Sequence, residues 1–271
     1  METGKGEMPA AAPEAPRLPP SVPRDSVPAV SAVLDLNEKG APRGGAPQTL
    51  DRRLFVSLQA FGDCKDAGPL VRALKKSGIP GVLYAELNDP RGVGLLLMSE
   101  DPEFFAGPTR RLLNRPPFSR LSMKSEYAML GRTYSTGYEP DLRDYLLART
   151  PRLVLDPQKP WALWYPLRRT GEFSRLSPQE QGQVLREHGA LGRRFGEAGF
   201  ASDIRLVSAG LDKNDNDFTI GIVGAALHPL SALVAAMRKT VQTSRYIEKM
   251  GPFFVGRALW QAPLAGGKGR K

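Results

Sequence analysis

The strongest constraint in this chain is an order of elements that occurs twice. From residue 54, LFVSLQAF reads as a strand and GPLVRALKKSG (68–78) as a short helix stopped by Gly78; VLYAELNDPRGVGLLLMS (82–99) reads as a hairpin. EDPEFFAGPTRRLLN (100–114) follows as a helix with a proline in it, and SMKSEYAMLGRTYS (122–135) as a strand. The second half repeats the pattern. WALWYPLRR (161–169) is a strand, and Ser177 with Glu180 three residues on forms a capping box that opens a helix. DIRLVSAG and DFTIGIVGA (203–210, 217–225) make a hairpin, 228–250 a helix, and PFFVGRALWQ (252–261) the closing strand. This order predicts an α+β chain of two tandem ferredoxin-like (βαββαβ) units, 49–138 and 161–262, with a helical or irregular connector over 139–160. Two four-stranded antiparallel sheets packed together, helices outside, is the expected architecture.

The flanks differ. Nine of the 25 prolines lie in the first 47 residues, without hydrophobic periodicity, so 1–48 is expected to be a disordered Pro/Ala-rich leader and 263–271 a disordered tail. There is no secretory signal pattern and no apolar run of membrane-spanning length. A single cysteine, Cys64, excludes an internal disulfide or a zinc knuckle, and the expected compartment is the cytoplasm.

The net charge of +10 raises nucleic acid as a partner. The basic residues are scattered, however, and the strands GVGLLLMS and DFTIGIVG carry aliphatics where an RNA-binding unit needs stacking aromatics, so no nucleic acid is expected. DKNDND (212–217) lacks the glycine and glutamate of a calcium loop and reads as turn chemistry.

Two constellations remain. In VLREHGALGRRFG (184–196), Val184, His188, Leu191 and Phe195 share a helix face, with Gly189 and Gly192 beside the imidazole. Such a histidine is either hydrogen-bonded in a core or a metal ligand. Zinc would need partners that this chain lacks, whereas a heme iron needs only one axial residue. The bare glycines leave room for a planar macrocycle. On the strand 161–169, Tyr165, Leu167 and Arg169 share a face. That pairing suits an anionic, oxidisable ligand, or it is a strand end with snorkelling arginines.

WYPLRR, LREHGALGR, SAGLD and MR…SRY…MGPFFVG together resemble the chlorite dismutase family, particularly its coproheme decarboxylase branch. The resemblance spans about residues 125–261. It implies a dimeric α+β barrel, assembled as a homo-oligomer (a homopentamer), with heme b or coproheme in the second half. By motif match His188 is the proximal iron ligand and Tyr165 the redox-active tyrosine. Arg169 stands where the branch has lysine, and Arg152 in TPRLVL resembles an arginine that binds a propionate. The distal place falls on Asp203, with Arg205 on the same face; Leu167, Gly189 and Gly192 would border the porphyrin. Glu248 is the one carboxylate of 228–250 that could take the imidazole Nδ1–H. The implied activity is hydrogen-peroxide-dependent decarboxylation of iron coproporphyrin III to heme b. A heme-binding or heme-sensing protein with incidental peroxidase activity, or a chlorite-degrading enzyme, are the alternatives.

Overall fold

Both repeats of the element order form, and they join edge to edge into one closed sheet. The computed structural model describes Met1 and residues 34–264, and the chain divides into two units, Met1–Asp35 and Leu36–Lys271. The second unit opens with a hairpin, β1 (Glu38–Arg43) and β2 (Ala46–Leu50). Its first half then runs β3 (Phe55–Gly62), α1 (Gly68–Ser77), β4 (Gly81–Glu86), β5 (Val93–Ser99), a π-helical turn leading into α2 (Arg110–Leu113), and β6 (Ser122–Arg132). A second π-helical turn, Asp144–Ala148, and α3 (Arg149–Val154) form the connector. The second half runs β7 (Trp161–Arg169), α4 (Gly171–Arg175), α5 (Pro178–Glu197), β8 (Ser202–Val207), β9 (Phe218–Gly224), α6 (Leu227–Met237), α7 (Val241–Tyr246), β10 (Ile247–Met250) and β11 (Phe254–Gln261).

The strand order is β10-β7-β11-β4-β5-β3-β6-β8-β9, and β9 also pairs with β7, so the sheet closes on itself. Each half keeps the ferredoxin-like order, β4-β5-β3-β6 in the first and β11-β7-β9-β8 in the second. The two expected sheets are therefore not stacked face to face. β11 pairs along β4 from Gly256↔Glu86 to Gln261↔Val82, and β6 meets β8 at Arg132↔Val207. Closure joins the edges that a stacked pair of sheets would leave open. Trp164, Tyr84, Phe254, Leu58, Leu96 and Ile204, all essentially inaccessible, belong to the core that fills the barrel.

Two further expectations are corrected. Much of the expected leader, 2–33, and most of the expected tail lie outside the described residues, but 38–50 is an ordered hairpin. Its order comes from distant partners that composition does not report. Glu38 pairs with Arg132 and accepts from the Ser135 backbone, and the Gln48 amide donates to the carbonyls of Ala41, Glu139 and Pro140. The helix expected over 228–250 breaks after α6. Thr240 is extended (φ −69°, ψ 152°) and caps α7. Residues 247–250 then leave the helix to pair with β7 at Arg169, Arg168 and Leu167, while β11 takes the same edge at Trp164–Trp161. An available strand edge outweighs helical periodicity here.

The two halves differ in how their helices sit. In the first, Leu70 and Leu74 of α1 are buried with Phe61, Ile79, Leu95, Leu97 and Phe118 in one filled cluster. In the second, the 20 residues of α5 include none that is buried. An amphipathic helix of that length ordinarily buries its apolar stripe. The stripe of α5 is only half-buried, with Leu191 and Phe195 resting on the cluster of Leu163, Tyr165 and Leu167.

Candidate functional site

The floor of the site is a stretch of sheet that alternation predicts. Along β7, Ala162 and Trp164 turn into the barrel core, while Leu163, Tyr165 and Leu167 join the cluster beneath α5 and α6. Register places three rows across β7, β9 and β8: Leu163–Ile222–Asp203, Tyr165–Ile220–Arg205 and Leu167–Phe218–Val207. Tyr165 and Arg205 thus lie at the two ends of one row, about 10 Å apart for three strands at ordinary spacing. Between them lies Ile220.

α5 is the roof. Its start is fixed by the capping box, with Ser177 N donating to Glu180 Oε2 at 2.8 Å and Glu180 N to Ser177 Oγ at 3.4 Å. Val184, His188, Leu191 and Phe195 face inward but are only half-buried. His188 Nδ1 lies 3.1 Å from Thr240 Oγ1. That hydroxyl already donates to the Met237 carbonyl at 2.8 Å, so toward the imidazole it presents a lone pair and Nδ1 is the donor. Nε2 then carries the free lone pair. Burial, together with the positive charge of Arg205, pushes the His188 pKa down to about 4, with Asp203 opposing, so the ring is neutral near pH 7. The expected partner Glu248 is exposed on β10 instead, and Thr240 occupies that role.

The sheet residues are held by specific contacts. The Arg169 guanidinium lies between the rings of Phe173 (4.4 Å) and Phe218 (4.5 Å), and its Nε is buried without an acceptor. Burial and the nearby Arg205 charge pull its pKa below the usual arginine value, against Tyr134 and Asp217. Arg205 pairs with Asp203 at 3.2 Å and donates to the Tyr145 hydroxyl at 3.1 Å; Arg149 reaches the other oxygen of Asp203 at 3.4 Å. Tyr165 stacks on Phe253, ring centroids 4.3 Å apart and 25° between planes. Burial raises its pKa well above the usual phenol value, aided by Asp203 and opposed by Arg238, so the phenol keeps its proton.

His188, Tyr165, Leu167, Arg169, Asp203 and Arg205 are therefore gathered between α5 and the sheet. Arg152 is not among them. It makes a two-pronged pair with Asp144 at 2.8 Å and is 54% exposed on the connector. Gly189 faces open space, whereas a side chain at Gly192 would meet the Met237 methyl at 3.3 Å, so that glycine lets α6 approach. Sequence reasoning missed Thr240, Arg149, Tyr145 and Phe253. The signal for two of them was present, because Tyr145 and Arg149 are one helical turn apart and project from one face.

Among the described residues no group of three or more His, Cys, Asp or Glu could hold a metal ion. A bare ion does not fit this donor set. A metal that brings its own in-plane ligands and needs one nitrogen does. Two surface clefts, one along Ala258–Leu264 with Leu155 and Pro157, the other around Arg52, Glu100 and Asp144, do not include His188.

Fold and site together define a duplicated α+β barrel in which one half-buried histidine lies over the outer face of the second half's sheet. Residues 109–259 match the family model of chlorite dismutase, and the chain belongs to that family. Solved structures agree on the fold. A heme-binding protein from Thermus thermophilus is 20% identical, with a TM-score of 0.60 over 77% of this chain and 92% of that one. The chlorite dismutase from Candidatus Nitrospira defluvii in complex with imidazole is 15% identical, with a TM-score of 0.60 over 77% and 92%. No curated protein matches the sequence. Among the described residues no helix is long and apolar enough to cross a membrane.

Proposed function

We propose that the space between α5 and the β7–β9–β8 face receives an iron porphyrin, and that the protein is a heme-dependent oxidoreductase that decarboxylates iron coproporphyrin III to heme b with hydrogen peroxide. The observation that carries this reading is the opposition of a neutral His188, Nε2 unshared, to a row that begins in Tyr165 and ends in Arg205. Bound iron supplies peroxide activation and one-electron oxidation, chemistry that no side chain provides.

The protein's own residues do the rest. His188 would hold the iron through Nε2. Leu163, Leu167, Ile220 and Ile222 on the rows would keep water from the macrocycle. Each propionate that becomes a vinyl group loses carbon dioxide, one proton and two electrons, and one peroxide accepts those electrons. Tyr165 is the oxidisable side chain on the sheet, a buried phenol that keeps its proton until an electron leaves. Arg169 offers a fixed cation with an unused Nε–H, suited to a carboxylate. It cannot shuttle a proton as a lysine could, so its part is charge pairing. Arg205, tied to Asp203 and Tyr145, keeps a positive charge on the face across from His188.

The test is incubation of the purified protein with iron coproporphyrin III and peroxide, followed by mass spectrometry. The expected product has lost two carboxyl groups, and Tyr165→Phe abolishes its formation. Unchanged substrate at full occupancy removes the decarboxylase reading. A second reading, a heme-binding or heme-sensing protein, is favoured by Arg169 at the place where lysine is expected. A Soret band that disappears in His188→Ala, without turnover, would be its signature.

A further inference from the structure

Resting on that porphyrin reading, we propose that Thr240 is the positioning residue that presents His188 to iron. As a neutral acceptor it leaves the iron–histidine bond weak enough for the porphyrin to be handed on.

A threonine hydroxyl has one proton. The Met237 carbonyl receives it at 2.8 Å; the alternative acceptor, Thr243 Oγ1, is farther, at 3.4 Å. His188 Nδ1 at 3.1 Å must therefore donate, which fixes both the tautomer and the ring orientation. Thr240 is itself anchored, since it is the N-cap of α7 and its Oγ1 accepts from Thr243 N. The break between α6 and α7, which the sequence pattern hides, exists at the point where this hydroxyl meets the imidazole.

A carboxylate is close by and turned elsewhere. Glu187, adjacent to His188, accepts through Oε2 from the Val241 backbone N–H at 3.0 Å, at the start of α7. There it meets a free donor and the positive end of the helix. The anion thus serves the helix and the hydroxyl serves the imidazole. A carboxylate on Nδ1–H draws the proton toward itself and makes the ring a stronger iron donor; a hydroxyl does so far less.

The experiment uses the full chain and three variants, T240S, T240D and T240V. Serine and aspartate cap helices at least as well as threonine, so α7 keeps its start in both. In the apoprotein, 15N NMR of the imidazole is expected to report Nδ1–H in the wild type and T240S, and mixed tautomers in T240V. With iron protoporphyrin IX, T240D is expected to raise the ferrous iron–histidine stretching frequency and to slow transfer to apomyoglobin about tenfold, the lower end of such outer-partner effects. T240S should track the wild type. An Nε2–H tautomer in the wild-type apoprotein, or a T240D protein identical to wild type in both frequency and transfer rate, overturns the proposal. If no variant takes up porphyrin, the functional reading fails, while the NMR result still decides what Thr240 does to His188.

Discussion

Gly221→Ala is expected to destabilise the protein although it adds one methyl group to a strand. Gly221 lies in β9 opposite Trp164 of β7. A Cβ there would stand 2.5 Å from the indole Cη2 and Cζ3 and 2.9 Å from Cε3. Trp164 is fully inaccessible and cannot retreat into solvent. Overpacking of this kind costs about 1–3 kcal/mol. Replacing glycine in a strand interior returns about 0.5–1 kcal/mol through the unfolded chain. Because the indole cannot yield, the cost lies in the upper part of that range, so the net loss is about 1–2 kcal/mol, or a fall in Tm of roughly 2–8 °C for a body of this size. The site should feel it too, because Trp164 precedes Tyr165 on the same strand and displacing one ring moves the other. Thermal unfolding by circular dichroism measures the first effect and a Soret titration the second. Gly189→Ala is the control: nothing lies within 4 Å of its Cβ, and alanine in a helix gains about 1 kcal/mol. The reasoning is refuted if G221A is as stable as wild type, or if both substitutions move Tm in the same direction.

Other outcomes follow from the same contacts. Tyr165→Phe keeps the stack on Phe253 and removes only the hydroxyl, so stability should change by less than about 0.5 kcal/mol and porphyrin affinity should hold while vinyl formation stops. Arg152→Ala should leave porphyrin affinity unchanged, since its guanidinium is committed to Asp144; a weakened Soret titration would return Arg152 to the site. The same pair gives a pH signature. Arg152 holds the Asp144 carboxyl below its ordinary range, so the stabilisation is complete above the unfolded carboxylate pKa of about 4 and fades as pH falls through the folded value. Both side chains are about half exposed, so the effect is well under about 1 kcal/mol, and R152A should flatten the acid limb of Tm against pH.

What could be read in the sequence was local. Alternation along WALWYPLRR orients Trp164 and Tyr165 to opposite faces, and the capping box at Ser177 marks the start of α5; both depend on neighbours a few residues away. What could not be read depends on distant partners. The β1–β2 hairpin is ordered by Arg132, Ser135 and the backbone near Glu139, some 90 residues on. The α6–α7 break arises because 247–250 finds the free edge of β7. The hydroxyl beside His188 was hidden because Thr240, inside the continuous helical pattern of 228–250, reads as helix interior. The likeness of TPRLVL that points to Arg152 carries no information on the connector's helical phase, and the pair with Asp144 turns that side chain outward.

The duplication explains how one half can remain open. A closed barrel has a core of its own, and here Tyr84, Trp164, Phe254 and the aliphatics around them fill it from both halves. The helices outside bury further area but do not seal that interior. In the first half they add a second filled core with Leu70, Leu74 and Phe118. In the second, Leu191 and Phe195 of α5 pack with Leu163, Tyr165 and Leu167, while Phe218 and Ile220 on β9 stay half-buried, and the strands beneath are fixed from inside by Trp164 against Gly221. An apolar face held rigid from behind, under a capped helix that leaves His188 half-buried above it, is what a flat ligand requires of a protein. Polar groups on that side keep unused capacity: Arg169 has a buried Nε–H without an acceptor, and His188 keeps a nitrogen lone pair.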